Sequence, residues 1–251
     1  MKTAGQQQKE KVRAAYGEVA RTRTPQTDAP CCAPPGHEPD YSRQEIASVP
    51  EGAFLSAGSG NPVRAAALQP GEVVVDLGCG AGMDVFLAAN EVGRSGRVVG
   101  IDMTPPMLQR ARINAASSDY THVEWLQADI ERLPLGSGVA DVVMSNCVIN
   151  LAPDKAAVYR EIYRVLKPGG RFAVADIVLE GPRALISQAV QAMPVCSCVA
   201  TALEENAYLE AIRAAGFESI AMVAERPARA QPLNSQVHAQ AITLVGRKLS
   251  G

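Results

Sequence analysis

The run Val73-Val74-Val75-Asp76-Leu77-Gly78-Cys79-Gly80-Ala81-Gly82 constrains the fold of this chain more than any other stretch. Three consecutive β-branched residues favour an extended backbone and read as a buried strand. An acid closes the strand, and glycine then stands at every second position. Glycine lets the backbone approach a ligand where a Cβ would clash. Residues 83–92 read as a helix, whose N-terminus is expected to bring free N–H groups to the same place. A strand, a glycine turn and a helix in this order predict a small-molecule cofactor pocket. They say nothing of a second substrate.

The 251 residues suffice for one α/β domain with extra segments. Hydrophobic residues make up 47% and charged residues 20%, the balance of a globular chain. A formal net charge of −2 gives no electrostatic reason to expect nucleic acid as a partner. No apolar run reaches the ~18–20 residues of a membrane span. The polar first eleven residues lack the apolar core of a secretory signal, so a cytoplasmic location is expected. In that setting the six cysteines are expected as thiols rather than structural disulfides. A small buried hydrophobe suits Cys79 and Cys196. It suits Cys31 and Cys32 badly, because they lie in the polar stretch 21–39 with five prolines.

Along the chain, residues 9–19 suit a short amphipathic helix. Residues 41–49 suit a helix capped by Ser42, and residues 61–68 one capped by Asn61 with Pro62 at its first position. From residue 70, strands are expected at 73–77, 97–102, 123–127, 140–146 and 171–178. Helices are expected at 104–116 and 155–166, with Lys167-Pro168-Gly169-Gly170 breaking the second one and turning into strand five. This alternation implies a parallel sheet covered on both faces. Residues 182–190 and 204–215 suit helices, and 219–224 and 238–246 suit two final strands. With no helix between them, those two form an antiparallel pair at the sheet edge.

Several acids narrow the cofactor. The glycines at 78, 80 and 82 lack the spacing of dinucleotide binders. Asp102 ends the second strand, where its carboxylate can accept bonds from both hydroxyls of a ribose. Asp129, beside Ile130 after strand three, can meet the edge and face of an adenine. Together with Leu166-Lys167-Pro168-Gly169-Gly170, this set resembles the class I S-adenosylmethionine-dependent methyltransferases. The resemblance covers about residues 70–246. It implies a Rossmann-like α/β fold with a seven-stranded sheet, order 3-2-1-4-5-7-6, strand seven antiparallel. It also implies roles: Gly78, Gly80 and Gly82 under the methionine moiety, Asp102 on the ribose, Met103, Asp129 and Ile130 at the adenine, and Asp76 as a further cofactor-binding residue. The alternatives are a nicotinamide oxidoreductase or a relative that has lost its cofactor.

In that strand order, strands one and four meet where the sheet reverses direction, the place where open α/β sheets bind ligands. The segment Ser145-Asn146-Cys147-Val148-Ile149-Asn150-Leu151 should therefore face the donor methyl, and Asn146 is a candidate contact to cofactor or substrate. Transfer to oxygen or nitrogen often needs a base nearby. The three histidines, His37, His122 and His238, fall on no expected pocket loop. The segment resembles its counterpart in the arsenite methyltransferases. So do Tyr41-Ser42 through Gly60-Asn61-Pro62, Gly100-Ile101-Asp102-Met103-Thr104-Pro105, an N-terminal helix containing Tyr16-Gly17, the pair Cys31-Cys32, and Cys198-Val199-Ala200. The likeness implies that Cys147, Cys198 and Cys32 bind arsenic(III) as substrate, with Cys31 or Cys32 as third ligand or redox partner. It also implies that Tyr16 covers the methionine end of the cofactor.

Trivalent arsenic is soft and prefers thiolates to carboxylates or amines. Bound to two or three of them it keeps a lone pair that can attack a sulfonium methyl. Methylation formally oxidises arsenic, so a thiol reductant such as glutathione or thioredoxin is implied as co-substrate, with a cysteine pair as relay. The chain departs from the family in one place. Gly58-Ser59-Gly60 stands where the family has Gly-Cys-Gly, and serine neither forms a disulfide nor binds arsenic as a soft ligand. Cys31, Cys32 or Cys196 must substitute, or fewer steps are performed on an organoarsenical acceptor. The competing readings are a small-molecule C- or O-methyltransferase of the quinone-biosynthesis type and a non-catalytic metalloid- or thiol-binding protein. The expected organisation is a cysteine-bearing extension (1–69), a donor-binding core (70–180), an arsenic-site helical segment (181–217) and a C-terminal β-hairpin (218–251).

Overall fold

The computed structural model describes residues 2–22, 41–55, 58–116, 119–191, 193, 196–227, 233 and 236–250. The expected loop at 21–39, with Cys31, Cys32 and His37, lies almost wholly outside them. Seven strands form one sheet: β1 (Val73–Leu77), β2 (Arg97–Asp102), β3 (Val123–Gln127), β4 (Ala140–Asn146), β5 (Leu166–Glu180), β6 (Ser219–Pro227) and β7 (His238–Arg247). Their order is β3-β2-β1-β4-β5-β7-β6, with β7 antiparallel to both β5 and β6. This is the expected sheet.

Eight α-helices accompany it among the described residues: α1 (Ala4–Arg21), α2 (Arg43–Ala47), α3 (Pro62–Ala66), α4 (Met83–Val92), α5 (Pro105–Ala116), α6 (Lys155–Val165), α7 (Arg183–Val190) and α8 (Glu205–Ala214). Ser42 and Asn61 cap α2 and α3 as expected, each side chain accepting the N–H three residues on. Two elements differ from expectation. Helix α1 is longer at both ends; Thr3 and Gln6 close a capping box that sets its early start. Strand β5 begins at Leu166 rather than after the Lys-Pro-Gly-Gly break. Leu166 already pairs Ala140, and the next partners are Val142 and Arg171, so the extra residues form a bulge in a continuing strand. Gly170 fits that bulge because a Cβ there would meet the carbonyl oxygens of Lys167 and Asp141 at 2.9 and 3.0 Å.

The sheet separates two cores. One holds the inner faces of α6 and α8, with Tyr159, Ile162, Tyr208, Ile212 and Phe217 fully buried. The other holds α4 together with the N-terminal residues Tyr41, Val49, Ala53, Val63 and Leu68. A third, smaller apolar cluster lies beside the carboxyl end of the sheet. It joins Cys147 to Ile177 and Leu179 of β5, Ile186 of α7, Cys198, Val199, and Val237, Ala239 and Ala241. The turn after β4 is pinned from the first core. Asp176 accepts the Asn150 backbone N–H (3.1 Å), its side-chain Nδ2 (2.8 Å) and the Tyr208 hydroxyl (3.1 Å). Among the described residues, no helix is long and apolar enough to cross a membrane.

Candidate functional site: a donor cavity meeting a thiol cluster

Parallel register brings the carboxyl ends of β1, β2 and β4 side by side: Leu77 pairs Ile101 on one side and Ser145 on the other. The residues that follow these strands enclose a cavity of about 790 Å³ with its mouth included, in the range of small-molecule sites. Gly78 and Gly80 come from the first turn, and Asp102, Met103 and Thr104 from the end of β2. Asp129 and Ile130 follow β3, and Asn146, Cys147, Val148 and Leu151 follow β4. Lys9, Val12 and Tyr16 of α1 cover it. Of the residues expected to touch a cofactor, all but Asp76 and Gly82 line this one cavity.

The glycine turn acts through its backbone shape, as expected, rather than through its own N–H groups. Its amides are already engaged: the Gly78 and Cys79 N–H groups donate to the Ile101 carbonyl (2.7 and 3.0 Å), that of Gly80 to Asp102 (3.0 Å), and that of Gly82 to the Cys79 carbonyl (2.9 Å). What the turn offers a ligand is close approach. Gly80 has φ +51°, and a Cβ built on it meets nothing within 4 Å. Gly82 does not line the cavity. A Cβ there would strike Phe86 and Trp125, at 2.7 and 2.8 Å, so packing of α4 on the sheet requires the glycine. Gly78 likewise makes room for Val148, which a Cβ would meet at 2.4 Å.

Asp102 is buried and oriented by two amides, Gly80 on Oδ2 and Thr104 on Oδ1 (2.7 Å). Burial raises its pKa, and those hydrogen bonds oppose the rise. The Thr104 side chain bonds the carboxylate too, and the carboxylate's remaining acceptor capacity is open to a ribose hydroxyl. Asp129 accepts the Glu131 N–H on Oδ1 and the Lys9 ammonium on Oδ2.

A second, smaller cavity adjoins the first and shares Gly78, Gly80 and Asn146 with it. Asp76, Asp84 and Tyr41 line it, and none of its lining residues is a cation. Burial and the neighbouring Asp84 and Asp102 carboxylates hold Asp76 well above the usual carboxylate range. Burial pushes Asp84 up to about 6, against hydrogen bonds from Tyr41 and Asn146. Two buried acids without a positive partner among the described residues favour a cationic ligand. The ammonium and sulfonium of S-adenosylmethionine fit that requirement, and the open space at Gly80 and the placement of Asp102 fit its nucleoside. Tyr41 and Asp84 were not singled out in the sequence. An acid in the first turn of a helix reads as ordinary dipole compensation, and Tyr41 carries no local signal.

Cys147 lies where the donor cavity meets the third apolar cluster, and Cys198 is buried in that same cluster. Cys147 has φ +58°, one of two non-glycine residues with positive φ among those described. Such a conformation costs of order 1–3 kcal/mol and is kept only where the surroundings impose it. Here the Cys147 N–H donates to the Ala175 carbonyl (2.8 Å) before the chain turns. Cys79, Cys147 and Cys198 are not in disulfides. Cys79 sits against the α4 core, and burial pushes its thiol pKa well up. Cys196 is in a disulfide, which corrects the expectation of a plain buried thiol. Neither Cys79, Cys147 nor Cys198 is its partner, and position 59, the family's usual cysteine, offers only a serine hydroxyl. Cys31 and Cys32 lie outside the described residues.

A glycine turn after β1, an acid ending β2 and this strand order define a class: the chain belongs to the methyltransferase-domain family, whose model matches residues 68–216. An arsenite methyltransferase of Halobacterium salinarum is 46% identical over 182 residues, 72% of this chain and 46% of that protein. An arsenite methyltransferase of Aquipseudomonas alcaligenes is 34% identical over 227 residues, 87% of this chain and 64% of that protein. The crystal structure of an arsenic(III) S-adenosylmethionine methyltransferase from Chlamydomonas reinhardtii matches with a TM-score of 0.73 at 33% identity, covering 86% of this chain and 76% of that one. Within the class, the chain falls in the arsenite methyltransferase family. It spans about half to two thirds of the length of these curated relatives.

Proposed function

We propose that this chain transfers a methyl group from S-adenosylmethionine to trivalent arsenic held by cysteine thiolates. The observation that carries this reading is the place of Cys147, on the boundary between the donor cavity and an apolar cluster that holds a second reduced thiol, Cys198. Asp102 would hold the donor's ribose, Met103, Asp129 and Ile130 its adenine, and Gly78 and Gly80 would pass the chain close beneath its methionine moiety. Asp76, with Tyr16 and Asn146 nearby, would hold the methionine end. When bound, S-adenosylmethionine supplies an electrophilic methyl on a sulfonium sulfur.

Cys147 and Cys198 would displace hydroxide from arsenic, and inorganic arsenite, which carries no organic group, has room for Cys32 or Cys31 as a third thiolate. Thiolate ligation leaves the arsenic lone pair in place. That pair attacks the methyl carbon as the carbon–sulfur bond of the donor breaks, its electrons passing to sulfur. No proton leaves the nucleophile, so no general base is required. The apolar cluster around the two thiols keeps water from the reacting centre and fixes donor against acceptor.

Transfer takes arsenic from the trivalent to the pentavalent state, and two electrons from a dithiol return it, leaving a disulfide. With Ser59 in place of the family cysteine, Cys196 takes the part of redox partner to the N-terminal pair. Glutathione or thioredoxin would then reduce the disulfide. The division of labour follows: residues 1–69 cover the site, 70–180 hold the donor, 181–217 close the acceptor pocket and 218–251 complete the sheet. The setting is cytoplasmic and the role detoxification or organoarsenical synthesis. Two reduced thiols in one apolar cluster best suit an arsenical that already carries an organic group.

Product speciation tests this. Protein, S-adenosylmethionine and glutathione are incubated with arsenite or with monomethylated trivalent arsenic, in separate reactions. The expected result is faster methylation of the monomethylated acceptor. Absence of methylated product from both acceptors overturns the assignment.

A further inference from the structure

We propose that Asn146 is a positioning residue that couples filling of the donor's methionine subsite to the acceptor thiol next to it. The inference rests on the acceptor role of Cys147. Asn146 ends β4, and its side chain joins three other segments of the chain. Oδ1 accepts the Ser59 N–H (2.9 Å). Nδ2 donates to the Tyr41 hydroxyl (2.8 Å) and the Gly60 carbonyl (3.0 Å), and it stands 3.2 Å from the Asp84 carboxylate. The Tyr41 hydroxyl in turn donates to the other Asp84 oxygen (2.6 Å).

The Asn146 amide carries two N–H groups, and three acceptors face them. One acceptor is therefore always under-served while Asp84 competes. A cation bound against Asp76 and Asp84 satisfies the carboxylate and lets Asn146 settle on Tyr41 and Gly60. Gly60 and Ser59 belong to the loop that replaces the family's cysteine loop. That loop has no slack: a Cβ on Gly58 would meet Asn146 at 2.7 Å, and one on Gly60 would meet Ala175 at 2.6 Å. Ala175 is the residue whose carbonyl receives the Cys147 N–H. Asn146 thus connects the donor's charged end to the 58–60 loop, and that loop packs on Ala175, the residue that anchors the Cys147 N–H.

The test is a binding linkage, with no turnover. Affinity of the reduced protein for phenylarsine oxide is measured by calorimetry with and without saturating S-adenosylhomocysteine, which carries the same ammonium. Wild-type protein is expected to bind the arsenical at least about fivefold more tightly with the donor product bound. In Asn146→Ala and in Tyr41→Phe, which removes a single hydroxyl, the ratio is expected to fall to near one. A wild-type ratio of one, or an undiminished ratio in both variants, overturns the coupling while leaving the acceptor site standing. Failure of wild-type protein to bind the arsenical at all overturns the acceptor assignment and this inference with it.

Discussion

At the scale of single residues the site is a set of buried acids beside a thiol. Asp84 titrates near 6 because burial disfavours its charge, and a cation seated against it favours the ionised form. Below that pH the group is protonated, and binding must first remove the proton. Affinity for S-adenosylmethionine is therefore expected to rise as pH increases through about 6 and to level off above it. Calorimetry in buffers of different ionisation enthalpy should register proton release near that pH. A flat affinity over roughly pH 5 to 8 contradicts a cation subsite at Asp84. That Asp102, Asp129 and Cys147 line one cavity was legible in the sequence because each ends or follows a strand that periodicity marks, and strand ends converge in a parallel sheet. Tyr41 and Asp84 were not, because only the folded chain brings the N-terminal segment onto the first turn of α4.

At the scale of elements, α1 is the cover of the donor cavity. Its Lys9 pairs with Asp129 and Glu131, and Gln8 donates to the Leu151 carbonyl at the turn after Cys147. These contacts tie the helix to the segments that follow β3 and β4. Lys9 is about one-fifth exposed, so its pairs are partly screened, and their loss is worth up to about 1 kcal/mol. Lys9→Met is expected to speed S-adenosylhomocysteine release by up to about fivefold in stopped flow, and to flatten its dependence on salt. An unchanged release rate contradicts the role of α1 as a latched cover. Sequence periodicity located α1 but not its early start, which Thr3 and Gln6 set through their reciprocal cap. It also located β5 but ended the preceding helix in a turn, where the structure absorbs Pro168 and Gly169 into a bulge. Residues that break a regular pattern locally can still be spanned when the neighbouring strands hold the register.

At the scale of the whole molecule, the order β3-β2-β1-β4-β5-β7-β6 brings the carboxyl ends of β1 and β4 together, with the cavity on one side and the Cys147–Cys198 cluster beside it. The parallel half supplies the donor cavity. Strand β7, antiparallel to β5, supplies with it part of the apolar wall on which Cys147 and Cys198 lie. This architecture could be read from alternating strands and helices and from two strands with no helix between them. The partner of Cys196 could not be read that way, because disulfide pairing depends on spatial approach rather than on spacing in the chain. The most direct measurement of the central claim is methyl transfer by Cys147→Ser, with donor affinity measured on the same sample. The expected result is loss of arsenic methylation by at least about a hundredfold, with S-adenosylmethionine binding left intact. Arsenic methylation at the wild-type rate in that variant would contradict the thiolate-held acceptor.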